Sequence, residues 1–125
     1  MKDLLRKISQ CTLCKASLPL LPKPILQASK NSKILIVGQA PGIVTHDKGI
    51  PFDDKSGDRL RSWLGVGRSQ FYNSDYFAII PMGFCYPGKG NSGDLPPIPL
   101  CAEIWRNVLL AKLNNIELSL RKSKF

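Results

Sequence analysis

The sequence predicts an α/β domain, a three-layer α/β/α arrangement around a short central parallel sheet, and three observations carry that expectation. Lys33-Ile34-Leu35-Ile36-Val37 is an unbroken apolar run ending at Gly38, the pattern of a strand buried on both faces. Tyr76-Phe77-Ala78-Ile79-Ile80 repeats that character, and Ile116-Glu117-Leu118-Ser119-Leu120 repeats it more weakly. Helical patterns over residues 58–63 and 102–113 separate the three runs. Strand, helix, strand, helix, strand is the order of a layered α/β domain with right-handed crossovers. At 125 residues, one domain over residues 1–125 is the default.

The remaining elements follow in chain order. Leu4, Leu5 and Ile8 have the spacing of a short amphipathic helix over residues 3–9, which leads into Cys11. Residues 16–24 are rich in leucine and proline, which suits an extended segment wrapped around the domain, because proline lacks the N–H a helix or ladder needs. Gly38-Gln39-Ala40-Pro41-Gly42 follows the first strand directly, and ligand sites of open parallel sheets lie beyond the carboxyl ends of the strands. Its glycines allow close approach of backbone N–H groups to a ligand, and Pro41 stiffens the turn; taken alone it also reads as a plain strand exit. His46-Asp47 is placed in the same loop. Trp63 and Trp105 fall on apolar helical faces and read as core. Tyr86 to Pro97 is rich in glycine, proline and small polar residues and reads as a long loop.

Eighteen basic residues stand against nine acidic ones, a formal net charge of +9. Such a balance draws polyanions, nucleic acid first, by steering and counterion release; the plainer alternative is a solubility property. There is no long apolar leader and no stretch approaching the ~18 apolar residues of a membrane span, so no membrane is expected and the cytoplasm is the expected location. Cys11-x-x-Cys14 and the pair Cys85 and Cys101 then argue, in a reducing setting, for a shared metal or cluster that ties the N-terminus to the middle of the chain. Disulfides or unpaired core thiols are the alternatives.

Gly38 through Gly42, then Gly49-Ile50-Pro51-Phe52, then Ser56-Gly57-Asp58-Arg59-Leu60, together with the four cysteines, resemble the uracil-DNA glycosylase superfamily, nearest its iron–sulfur family 4 type. The resemblance covers about residues 8–120. It implies that Gln39, Ala40, Pro41 and Gly42 line a pocket for a flipped-out uracil and that Phe52 stacks on the base; the alternative for Phe52 is a core aromatic. It implies that Ser56 and Gly57 open a helix where backbone donors meet a phosphate, and that Cys11, Cys14, Cys85 and Cys101 hold a structural 4Fe–4S cluster. Lys89, flanked by glycines, is a phosphate contact or a plain surface lysine. The implied partner is DNA carrying uracil or another deaminated base, the implied protein a monomer. The physics agrees, since an enzyme acting on a base must extrude it into a tight pocket with an aromatic face and edge-reading hydrogen bonds.

Departures from the family pattern matter as much. Family 4 members carry a glutamate at the position of Gln39, and a carboxamide cannot act as a general base. His46 and Asp47 are the candidates for water activation, the alternative being an exposed polar pair. Pro81 stands in place of an asparagine upstream of the third cysteine, and Asn91 and Asp94 are polar groups that can reach the pocket. The family's later His-Pro-Ser type motif has no counterpart before the basic ending Arg121-Lys122-Ser123-Lys124-Phe125, so the expectation is a truncated fold holding the N-terminal two-thirds. Three readings follow: an iron–sulfur repair glycosylase, an inactive DNA-binding remnant of that family, or a small zinc-binding α/β module.

Overall fold

The structure, a computed structural model, describes residues 2–91, 93–112 and 117–121. A three-stranded sheet organises it, with β1 (Ile34–Val37) in the centre, β2 (Phe77–Ile79) on one side and β5 (Glu117–Arg121) on the other. Both pairings are parallel, as the unbroken apolar runs predict: Ile34 pairs with Phe77 and with Glu117, and the register on the β5 side shifts between Leu35 and Ile36. Leu113 and Ile116, the expected ends of the last helix and last strand, lie outside the described residues, as does the basic ending beyond Arg121.

Successive strand residues point to opposite faces, and each face meets helices. Ile36 with Phe77 and Ile79 packs on Leu60 of α3 (Lys55–Leu64) and Phe71 of α4 (Arg68–Phe71). Leu35 and Val37 with Ala78 and Ile80 pack on Ile8 of α1 (Lys2–Ser9) and Leu109 of α6 (Asn107–Ala111). The helices therefore form two layers around the sheet, the expected three-layer order. Between Cys14 and β1 the chain makes a 3₁₀ turn (Lys15–Ser17) and then runs without regular structure until Gln27 bridges Ile79 in antiparallel fashion. That is the wrapping segment the prolines predict.

Three expectations require correction. His46 and Asp47 are not in a loop: α2 (Ile43–Lys48) begins immediately after Gly42 and ends at Gly49, whose φ of 73° closes the helix in the left-handed region that glycine tolerates. Residues 85–101 are not loop throughout, because β3 (Lys89–Gly90) and β4 (Gly93–Asp94) pair as an antiparallel hairpin, fastened at its base by Leu95 N–H donating to Gly88 O. Trp63 is not core but 66 % exposed, since the buried stripe of α3 runs through Gly57, Leu60 and Arg61 and leaves position 63 on the other side. Trp105 does pack against the core, and it does so from a π turn (Ala102–Arg106) set between α5 (Pro99–Cys101) and α6.

Candidate functional site: a cleft at the strand ends and a four-thiol cavity

A cleft of about 320 Å³ opens beyond the carboxyl ends of β1 and β2. Gly38 to Gly42 forms one wall, Phe52 and Pro51 another, and Pro81 the floor beside Ile79. Gln39, Ala40, Pro41, Gly42 and Phe52, the residues assigned to the base pocket, all line it, as does Ser56, assigned to a phosphate contact. The loop stays against the sheet because the two strand exits continue side by side: Met82 N–H donates to Gly38 O and Gly83 N–H to Gln39 O, each at 2.9 Å.

Phe52 is the one non-glycine residue with positive φ, at 58°, among the described residues. A bulky side chain enters that region only when its surroundings impose it. Three groups impose it here. Gly57 lies so close beneath that a Cβ on it would overlap the Phe52 carbonyl, with the oxygen at 1.7 Å. Arg61, only 4 % exposed, donates from Nη1 to Phe52 O at 3.0 Å and to the Tyr72 hydroxyl at 3.1 Å. Tyr72 in turn donates to Pro51 O at 2.6 Å, and burial pushes its hydroxyl above the usual phenol range, which keeps it a donor. The Phe52 ring meets the Phe71 edge at 6.1 Å, while its far end stands 3.6 Å from a Cβ placed on Gly38. It is a partly buried core aromatic that also lines the cleft.

The start of α3 differs from expectation. Asp54 caps it, accepting from Gly57 N–H at 2.9 Å and from the Ser56 hydroxyl at 2.7 Å. Those two donors are engaged by a carboxylate, and a phosphate would meet its charge there. Lys89 is exposed on β3, opposite Asp94, and is not among the residues lining the cleft. Other cations collect around the loop that carries Phe52: Lys23 donates to Asp47 O, Lys48 to Asp53 O, and Arg68 pairs with the Asp53 carboxylate at 2.9 Å. His46 and Asp47 do not line the cleft either. A helix turns ~100° per residue, so Ile43 to Thr45 face the cleft while His46 turns toward Tyr86, 6.0 Å between ring centres. His46 Nδ1 is buried there with no hydrogen-bond partner among the described residues.

All four cysteines line one apolar cavity, together with Leu18, Pro24, Phe84 and Trp105. Each is reduced and partly buried. The lead-in helix delivers Cys11, the turn after it Cys14, the exit of β2 Cys85, and the end of α5 Cys101. Trp105 Nε1 donates to Cys11 Sγ at 3.1 Å, and Phe84 N–H to Cys101 Sγ at 3.4 Å. Burial pushes the Cys85 thiol up to about 11, and the thiols of Cys101, Cys11 and Cys14 add to the rise against the N–H of Lys23. Burial likewise raises Cys14 and Cys101. Among the described residues no three His, Cys, Asp or Glu side chains converge tightly enough to bind a single metal ion. The donor set is nevertheless soft and all thiol, which suits zinc or an iron–sulfur cluster, and N–H donors already aim at two of the sulfurs.

Sequence reasoning missed Arg61, Tyr72 and Asp54. A buried arginine has no signature in a Leu-Arg-Ser-Trp helix segment, but Asp54 followed three residues on by Gly57 is a readable capping signal. Among the described residues no helix is long and apolar enough to cross a membrane. The comparison with known families adds one finding: the model of the uracil DNA glycosylase superfamily matches residues 26–120, a stretch that holds every residue lining the cleft except Ile25, together with β1, β2, Cys85 and Cys101. With the cleft at the strand ends and a family match over most of its length, the chain belongs to the uracil DNA glycosylase superfamily.

Proposed function

We propose that the protein is a DNA repair glycosylase of the iron–sulfur type, which hydrolyses the bond between deoxyribose and uracil or a related deaminated base. The observation that carries this reading is the clamped Phe52, whose ring lines a cleft of about 320 Å³ beside the Gly38 loop. Base–aromatic stacking contributes ~1–3 kcal/mol, and a ring fixed before binding loses no freedom when the base arrives. The Gln39 carboxamide and the backbone of residues 38–42 offer donors and acceptors for a pyrimidine edge. The excess of basic residues and the Lys23, Lys48 and Arg68 group beside the cleft suit a phosphate backbone held at its mouth.

In this reading Cys11, Cys14, Cys85 and Cys101 hold a 4Fe–4S cluster, which supplies a structural clasp and no chemistry at the base. Four thiols lining one apolar cavity are the donor set that a cluster takes. Its reducing requirement fits the cytoplasm.

The test is to purify the chain without oxygen, record its visible spectrum and incubate it with a labelled uracil-containing oligonucleotide followed by alkali. A brown protein that yields strand breaks at uracil is the expected result. A brown protein that binds but never cleaves favours the second reading, an inactive DNA-binding remnant, for which the exchange of glutamate for Gln39 speaks. A colourless protein with bound zinc removes the cluster assignment.

A further inference from the structure

We propose that Asp94 is the carboxylate that serves the reacting sugar in this cleft; the proposal rests on the glycosylase reading above. Hydrolysis of an N-glycosidic bond passes through an oxocarbenium-like state, and a nearby carboxylate stabilises that cation and accepts the proton of the attacking water. Gln39 cannot do either. The His46-Asp47 pair lies off the cleft.

Two carboxylates line the cleft among the described residues, Asp54 and Asp94. Asp54 is committed, since its Oδ1 accepts from both Ser56 and Gly57 at the head of α3. The Asp94 side chain makes no hydrogen bond or ion pair among the described residues, and the residue is exposed where it lines the cleft. Its Oδ2 would stand 3.3 Å from a Cβ on Gly42, so the carboxylate lies against that loop. Glycine at position 42 leaves that approach open, where a Cβ would push the carboxylate back by a few tenths of an ångström.

The hairpin that carries it is anchored rather than adrift. Leu95, next in the chain, stands about 3.0 Å from a Cβ on Gly90 and 3.5 Å from one on Gly88, and Pro19 stands 3.3 Å from that same position on Gly88. Cys85 and Cys101 bracket the whole segment at the thiol cavity. A base stacked on Phe52 puts its sugar toward the mouth, where Asp94 stands. The electron pair of the C1′–N bond then leaves with the base, a water oxygen bonds to C1′, and the water's proton passes to Asp94 and on to solvent. The departing base anion is protonated by solvent, which closes the balance.

The test is binding, measured on the full-length chain without oxygen, to three matched duplexes: undamaged, carrying a neutral tetrahydrofuran abasic site, and carrying a cationic pyrrolidine abasic site. Wild type is expected to prefer the cationic site over the neutral one by about tenfold, the scale of one close opposite charge at a protein surface. Asp94→Asn is expected to abolish that preference while keeping preference for the neutral site over undamaged DNA. Asp75→Asn, a charge change on a residue bonded to Ser29 and not lining the cleft, controls for net charge and should keep the preference. Circular dichroism melting establishes that both variants fold. Cation preference retained in Asp94→Asn, or absent from wild type that still selects the neutral site, overturns the role of Asp94 alone. No selection of either abasic site by wild type overturns the glycosylase reading and this role with it.

Discussion

The cleft and the thiol cavity are neighbours built in opposite ways. Most of the cleft comes from one stretch, residues 38–56, at the end of a single strand. The thiol cavity takes its four sulfurs from positions 11, 14, 85 and 101, brought together only when α1, the exit of β2 and α5 have packed. The cleft therefore owes its shape to local backbone geometry locked by Gly57, Arg61 and Tyr72, whereas the cavity depends on long-range closure, whose entropy cost the proposed cluster would offset. Residues 81–85 join them: Pro81 lines the cleft, Gly83 bonds to Gln39 O, and Cys85 lines the cavity.

The largest effect should come from breaking the long-range half. Cys85→Ala is expected to lose iron entirely and to lower the thermal midpoint steeply, because a structural site contributes about 10 kcal/mol or more of folding free energy in small metal-dependent domains. Iron analysis and calorimetry check it; unchanged iron and melting would remove Cys85 from the site.

Breaking the local half is next. Gly57→Ala drives a methyl group into the Phe52 carbonyl and should destabilise by roughly 2–3 kcal/mol while leaving the visible spectrum intact. Urea unfolding followed by absorbance separates the two outcomes, since loss of colour along with stability would mean the two regions are not independent.

Phe52→Ala sharpens the comparison further. Removal of the ring should weaken binding of an abasic or uracil-bearing strand by ~1–2 kcal/mol, about tenfold, with little change in iron content. Equal affinity would argue against stacking.

The smallest effect concerns pH. The hydrogen bond from Arg68 holds the Asp53 carboxyl below its usual range, and Lys48 adds to this. A depressed carboxylate stabilises the fold above the ordinary aspartate value and loses that contribution as pH falls through its folded value. The stability gap between wild type and Asp53→Asn should thus be flat near neutral pH, close on acidification below about pH 4, and shrink with added salt.

Much of the fold was readable without coordinates. The apolar runs at 33–37 and 76–80 named the parallel strands, because a strand covered on both faces has no polar side to alternate with. The cleft was readable for the same reason, since a glycine-bracketed loop at a strand exit sits at the sheet's carboxyl edge whatever else the chain does. His46 and Asp47 misled because a helix starting at Ile43 turns them away, and no cap residue announced that start beyond Gly42. Trp63 misled because a single large apolar residue on a short helix fits either side of the stripe.

The sequence by itself determined the strands, the loop and the four thiols, all properties of neighbouring residues and the periodicities they impose. Only the tertiary structure decided which distant residues meet on that frame. It set the left-handed turn at Phe52, the buried Arg61 bonded to its carbonyl, and the approach of Asp94 to Gly42. The reason is physical: local pattern fixes backbone form, but a contact between residues 42 and 94 exists only after the sheet and its two helical layers have closed around it.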